Sequence, residues 1–146
     1  MIAYFDASAL VKRHVDERGS RETIEFAARA EVVATSLISR AEVAAALAKA
    51  VRTKLLDERE AREAQRAFVA QWPDIARIPV SEALVSRAEA LAWEHELRGY
   101  DAVQLASAVL FQESLGTAVR LATFDRQLWS AARDAGFEVW PEKALA

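Results

Sequence analysis

Four acidic side chains stand at comparable places along the chain, each at the start of a segment that reads as a helix. They are Asp6, Glu42, Asp101 and Asp125. Taken singly, each is explained by local structure: Asp is a preferred N-cap, acids suit the first helical turn, and Ser39-Arg40-Ala41-Glu42 matches the capping box S-x-x-E. Capping does not explain why four acids occupy such similar junctions, so a shared site is the competing interpretation.

The chemistry of a shared site follows from the charges. Carboxylates brought close together repel one another unless a cation neutralises them. Hard oxygen ligands favour Mg²⁺ or Mn²⁺ over zinc. Ser8 lies two residues after Asp6, and Thr123 lies two residues before Asp125. From these positions a hydroxyl could orient a carboxylate or hold a metal-bound water, although both residues also suit a local cap.

Short apolar runs alternate with longer helical segments. The runs that predict strands are 2–5, 31–35, 76–80, 120–124 and 137–140. Helical spacing or interleaved charge predicts helices over 39–52, 55–71 and 81–97, with another beginning near Asp101. This alternation predicts an α/β fold, a three-layer α/β/α sandwich with a central, mainly parallel sheet of four to five strands. Ligands of such sheets bind beyond the carboxyl ends of the strands, where Asp6 stands.

The composition indicates one globular domain over residues 1–146, with 53% hydrophobic and 28% charged residues. The absence of cysteine excludes disulfides, thiolate zinc sites and cysteine nucleophiles. A net charge of −3 does not attract nucleic acid, so a polyanion would need local basic patches or metal ions. The N-terminal apolar run is too short for a signal peptide and no segment resembles a membrane span, which predicts a cytoplasmic protein.

Four segments also carry a family resemblance. In order, they are YFDASALVK, TSLISRAEVAAAL, RGYDAVQLASA and LATFDRQLWSAA. Together they resemble the acidic motifs of PIN-domain ribonucleases, especially the VapC-type toxins of bacterial and archaeal toxin-antitoxin pairs, over essentially the whole chain. The sequence departs from the frequent pattern at Gln104, where many members carry histidine or another residue. That departure leaves the acidic positions intact and bears on RNA choice.

The resemblance implies a function and assigns the residues. The metal-binding and catalytic quartet would be Asp6, Glu42, Asp101 and Asp125, with Ser8 and Thr123 as accessory hydroxyls. The implied activity is Mg²⁺- or Mn²⁺-dependent cleavage of RNA phosphodiester bonds by a metal-activated water. The implied partners are RNA, a cognate antitoxin and a second copy of the chain in a homodimer. The basic residues that could hold the RNA backbone are Arg13, Arg40, Lys49, Arg52 and Arg98.

Three alternatives remain open at this point. One is a PIN-type nuclease of RNA processing that has no antitoxin. Another is a phosphatase like the haloacid dehalogenases, with Asp6 as nucleophile, although that motif needs a second Asp where this chain has Ser8. The third is a binding protein that keeps the fold without catalysis, which the presence of all four acids disfavours.

Overall fold

A single parallel sheet of five strands forms the centre of the molecule in a computed structural model that describes residues 1–144. The strands are β1 (Ile2–Phe5), β2 (Val32–Ser36), β3 (Ala76–Ile78), β4 (Val119–Ala122) and β5 (Glu138–Trp140). Their order across the sheet is β3-β2-β1-β4-β5, and every neighbouring pair is parallel. The predicted α/β class is confirmed. Strand β3 is shorter than the predicted range 76–80 because Pro79 has no N–H to give to the sheet.

Seven helices cover the two faces of this sheet. They are α1 (Ala7–Lys12), α2 (Ser20–Ala28), α3 (Ser39–Arg52), α4 (Glu58–Gln71), α5 (Glu82–His95), α6 (Gly99–Leu115) and α7 (Arg126–Asp134). Tyr4 of β1 packs into the core beneath α5, α6 and α7, whereas Ala3 and Phe5 pack on the opposite side with α1 to α4. The alternation buries the central strand on both faces, as its apolar run predicts. No helix within residues 1–144 combines the length and apolar character that crossing a membrane requires.

The strand order brings the predicted junctions together. Strand β1 lies in the middle, with β2 and β4 on either side. The backbone N–H of Asp6 donates to the carbonyl of Ala122 at 3.1 Å, so the ends of β1 and β4 stay side by side. Only Leu37 and Ile38 separate β2 from α3, and α6 contacts both β2 and β4. The helices that carry Glu42 and Asp101 therefore begin close to the same edge of the sheet.

The helix starts divide the four acids into two groups. Asp6 and Asp125 are true N-caps, whose side chains accept from the backbone N–H groups of Ala9 and Leu128. The capping box expected at Ser39 is wrong. Helix α3 is capped by Ile38 without a side-chain hydrogen bond, because the fully buried Ser39 hydroxyl is engaged in a side-chain network instead. Asp101 also caps nothing, since the N-cap of α6 is Arg98.

Candidate active site

Asp6 is the most enclosed of the four acids, with 4% of its surface exposed. Its Oδ1 accepts from the Ser8 hydroxyl at 2.7 Å and from the backbone N–H of Ala9 at 3.0 Å. Its Oδ2 accepts from the Thr123 hydroxyl at 2.7 Å. Thr123 also accepts from the backbone N–H of Asp125 at 3.0 Å, so it joins two of the acids. The carboxylate of Asp6 is thus fixed by three donors.

The three hydrogen bonds do not offset the effect of burial on the pKa of Asp6. Burial, together with a smaller effect of the negative charge of Glu42, raises the pKa of Asp6 from its ordinary value of 3.8 to about 6. The hydrogen bonds from Thr123, Ser8 and Ala9 act in the opposite direction, since they stabilise the ionised form. A buried carboxylate whose charge is poorly compensated is a favourable place for a cation.

Glu42 lies on α3 and faces helix α6. Its Oε1 accepts from Nε2 of Gln104 at 2.6 Å. Partial burial raises the pKa of Glu42, and the charge of Asp101 raises it further, while the bond from Gln104 opposes both effects. Glu42 therefore feels the charge of a third acid as well as that of Asp6.

The remaining two acids share one arginine. Arg98 donates from Nε to Oδ2 of Asp101 at 3.0 Å and from Nη2 to Oδ2 of Asp125 at 3.1 Å. Its guanidinium also lies over the ring of Tyr100, 4.8 Å from the centroid. Burial raises the pKa of Asp101, as does the charge of Asp125, and Arg98 offsets part of this. Arg98 thus lies against the acids themselves.

The four acids form one electrostatic neighbourhood, in which the charge of Glu42 acts on Asp6, that of Asp101 on Glu42 and that of Asp125 on Asp101. Carboxylate oxygens suit Mg²⁺ or Mn²⁺ by type. In the side-chain positions of residues 1–144, however, no three acids or histidines are grouped to hold one ion. Arg98 occupies Oδ2 of both Asp101 and Asp125, so ion binding by these oxygens would require Arg98 to move, whereas Gln104 donates to Oε1 of Glu42 alone.

A groove of about 750 Å³ runs from this neighbourhood between α1 and α3. Ser8 and Glu42 line it, together with Lys49, Tyr100 and Phe124. Its walls combine apolar surface with the basic side chains of Lys12 and Lys49 and the acidic side chains of Asp16, Glu17 and Glu42. The groove is therefore a candidate path for a chain-like ligand that reaches the acids.

The structure separates the basic residues singled out in the sequence. Lys49 lines the groove and Arg98 contacts two of the acids. Arg13 lines a separate depression beside His14. Arg40 lies 5.9 Å from the ring centroid of Trp72, and the exposed Arg52 ends α3. Of these five residues, only Arg98 contacts the acids and only Lys49 lines the groove, and an RNA-binding role for all five stays a prediction.

Sequence reasoning did not assign Gln104 to the site. It is 1% exposed and contacts Glu42 directly. The signal that could have found it is its spacing, because Gln104 lies three residues after Asp101, on the same face of α6. A polar amide among the apolar residues of a buried helix needs hydrogen-bond partners, and here one partner is an acid of the site.

Comparison with known proteins identifies the family. The model of the PIN domain family matches residues 3–134. The chain belongs to the PIN domain family. Two relatives from Mycobacterium tuberculosis are each 35% identical over 140 residues: Ribonuclease VapC45 of strain CDC 1551 / Oshkosh and Ribonuclease VapC49 of strain ATCC 25618 / H37Rv. In each case the alignment covers 96% of this chain and 95% of the relative.

Two solved structures share the fold of this PIN domain. A toxin-antitoxin complex from Klebsiella pneumoniae has a chain with 25% identity and a TM-score of 0.64, matching 98% of this chain and 99% of its own. PAE2754 from Pyrobaculum aerophilum has 23% identity and a TM-score of 0.62, covering 89% and 84% of the two chains, and supports the fold alone. The resemblance noted in the sequence is confirmed.

We expect the Thr123→Val variant of this PIN domain to unfold more easily above pH 7. Valine removes the hydroxyl that donates to Oδ2 of Asp6 while keeping a similar side-chain volume. Loss of a hydrogen bond to a buried carboxylate costs about 1.5 kcal/mol. Chemical denaturation at pH 8 measures this change. Thr53→Val is the matched control, since that exposed hydroxyl donates only to helix carbonyls, and an equal loss in both variants would contradict a specific role for Thr123.

Proposed function

We propose that this PIN-domain protein is an endoribonuclease of the VapC type, and that it is the toxin of a toxin-antitoxin pair. The observation that carries the proposal is the set of four acids at one end of the parallel sheet, linked in series by the effects of their charges and lying beside a groove. The two Mycobacterium relatives named as VapC ribonucleases support the activity. The toxin-antitoxin complex from Klebsiella supports the biological setting.

In this proposal the four acids are catalytic and would hold Mg²⁺ or Mn²⁺. They are Asp6, Glu42, Asp101 and Asp125. A bound divalent ion supplies two things to such a reaction: a water that ionises near neutral pH, and positive charge at the attacked phosphate. The protein's own part is to fix the carboxylates. Ser8 and Thr123 hold both oxygens of Asp6, and Arg98 balances the charges of Asp101 and Asp125.

The partners and the location follow from the same proposal. The substrate is RNA, whose charged backbone needs a cation to approach an acidic site. A cognate antitoxin would hold the toxin inactive, and the chain would act as a homodimer in the cytoplasm. A nuclease of RNA processing without an antitoxin is the alternative within the family. The phosphatase alternative has no support, since Ser8 stands where its acid/base Asp would be and the family match is to PIN domains.

The test is direct cleavage. Purified protein is incubated with transfer RNA and ribosomal RNA fragments in Mg²⁺ or Mn²⁺, and the products are separated on a denaturing gel. We expect cleavage at internal sites that stops when EDTA exceeds the metal. Cleavage that persists in excess EDTA would contradict the metal mechanism. An intact RNA population in either metal, across both substrate classes, would contradict the nuclease function.

Lys49 tests whether the groove is the RNA path. We expect Lys49→Ala to weaken RNA binding and to lower the slope of log affinity against log salt by about 1, because one phosphate contact is lost. Fluorescence anisotropy with labelled single-stranded RNA, in Ca²⁺ to slow cleavage, measures both quantities. Arg66→Ala on α4, outside the groove, is the control. Equal losses in the two variants would place the RNA elsewhere.

A further inference from the structure

Gln104 is a buried amide at the meeting point of β1, α3 and α6. Its Oε1 accepts from the hydroxyl of Tyr4 at 2.5 Å. Its Nε2 donates to Oε1 of Glu42 at 2.6 Å and to the hydroxyl oxygen of Ser39 at 2.9 Å. The carbonyl and both N–H groups of this side chain are thus satisfied by three residues on two other elements, β1 and α3. Such complete pairing fixes the amide in one position.

The orientation of this amide follows from its partners. An ionised carboxylate is only an acceptor, so the nitrogen of Gln104 must face Glu42. In the reversed orientation, the amide carbonyl oxygen would face the carboxylate of Glu42. An amide N–H would then stand at the position that accepts the hydrogen bond from the Tyr4 hydroxyl. Burial raises the pKa of Tyr4 well above its ordinary value, so its hydroxyl keeps the proton that it donates to Oε1. The Tyr4 hydroxyl and the Glu42 carboxylate therefore select the same orientation.

The second N–H of Gln104 enters a chain of hydroxyls whose directions are also determined. Thr35 gives its one hydroxyl hydrogen to the carbonyl of Phe5 at 2.6 Å. In the 2.7 Å contact between Thr35 and Ser39, the hydrogen must then come from Ser39. Ser39 in turn accepts from Gln104. The chain ends on the carbonyl of Phe5, the residue directly before Asp6.

We propose that Gln104 is the positioning residue of Glu42, and that its hydroxyl chain ties the placement of Glu42 to the end of the strand that carries Asp6. This inference rests on the proposed metal-dependent function. Gln104 is a neutral donor, so it holds Oε1 of Glu42 without cancelling the charge that a cation needs. A carboxylate already fixed in place loses less freedom on binding an ion than a free one does.

The test is the affinity of the folded protein for Mn²⁺, measured by calorimetric titration. Gln104→Met keeps the volume of the side chain and removes its donors. We expect it to weaken Mn²⁺ binding about 10-fold and to lower kcat for RNA cleavage with little change in KM. The matched control is Gln112→Met on the same helix, where the amide carbonyl accepts from the backbone N–H of Val119 at 2.9 Å. Equal Mn²⁺ affinity in the two variants would overturn the proposal.

Two further variants separate positioning from general support of the fold. In a Glu42→Gln background, Gln104→Met should cause almost no additional loss of Mn²⁺ affinity, because the carboxylate that Gln104 positions is already gone. Gln104→His restores an N–H donor and should recover part of the affinity. Additive losses in the double variant, or no recovery with histidine, would overturn the role. If Gln104→Met does not fold, Tyr4→Phe removes only the hydroxyl that orients the amide and should give a smaller loss in the same direction.

The outcomes also distinguish this inference from the proposed function. Wild-type binding of Mn²⁺ that Glu42→Gln weakens and Gln104→Met leaves unchanged would overturn the role of Gln104 and support the metal site. Wild-type protein that binds no Mn²⁺ would overturn both.

Discussion

Asp6→Asn will reduce metal-dependent RNA cleavage by more than about 100-fold, because removing a proposed ligand should cost at least as much as removing a residue that only orients one. The change is small in volume, and asparagine is itself a good N-cap. Its carbonyl oxygen can keep the bonds from Ser8 and from the Ala9 backbone. Helix α1 should therefore stay folded while the charge at its N-cap is lost. Cleavage of labelled RNA in Mg²⁺ and in Mn²⁺ measures the effect.

The matched control for this variant is Asp57→Asn. Asp57 caps α4 by accepting from the backbone N–H of Glu60 at 2.7 Å, but it is exposed and lines no part of the groove. The two substitutions make the same chemical change at two N-caps, so capping alone predicts equal results. Cleavage within 3-fold of wild type for Asp6→Asn, on the order of 1 kcal/mol or less, would show that Asp6 is a cap and not a catalytic residue.

Much of this arrangement is predictable from sequence because a parallel sheet has simple rules. Short apolar runs buried on both faces mark the strands, and the carboxyl ends of neighbouring strands share an edge. These rules alone place Asp6 and Asp125 close together, since Asp6 follows β1, Asp125 follows β4, and these two strands pair in the sheet. Glu42 and Asp101 are singled out by their positions at predicted helix starts, and their helices begin near that edge for reasons of packing.

Side-chain partners are less predictable, because they depend on contacts between distant segments. Ser39-Arg40-Ala41-Glu42 has the letters of a capping box, yet burial draws the Ser39 hydroxyl toward Thr35 and Gln104. Arg98 is one basic residue among many in the sequence, and only the fold sets it against Asp101 and Asp125. Local sequence rules describe the hydrogen bonds that a side chain prefers when it is surrounded by solvent. Tertiary contacts replace that solvent with other side chains and so change the partners.

Thr123 shows the same effect within the proposed site. Its spacing in the sequence links it to Asp125, whose backbone N–H it does accept. Its hydrogen, however, goes to Asp6 on the neighbouring strand. A hydroxyl that donates to one acid and accepts from the backbone of another holds the ends of β1 and β4 in register. The two interpretations weighed for Asp6, cap and site residue, are compatible, because different lone pairs of one carboxylate serve Ala9, Ser8 and Thr123.

The second prediction concerns stability: without metal, the Asp6→Asn variant should be more stable than wild type above pH 6, and the difference should vanish near pH 4. In the folded protein the pKa of Asp6 is raised from 3.8 to about 6, so the folded state binds a proton more tightly than the unfolded chain does. Such an acid does not change the free energy of unfolding below pH 4, where it is protonated in both states. Between pH 4 and about 6, the free energy of unfolding falls progressively as the pH rises. Above this interval, the ionised Asp6 lowers the free energy of unfolding by roughly 3 kcal/mol.

Chemical denaturation in EDTA at several pH values between 4 and 8 measures this, with the wild-type curve subtracted from that of the variant. Glu42 and Asp101 also have raised pKa values, but they are present in both proteins, so the difference reports Asp6 together with its charge interaction with Glu42. A difference that is flat across this range would contradict the raised pKa of Asp6. Adding Mn²⁺ at pH 7 should then stabilise the wild type more than the variant, because the proposed ion relieves the repulsion that asparagine has already removed. A buried acid that destabilises the metal-free protein and stabilises the metal-bound protein behaves as a binding-site residue is expected to behave. An N-cap such as Asp57 should show neither effect.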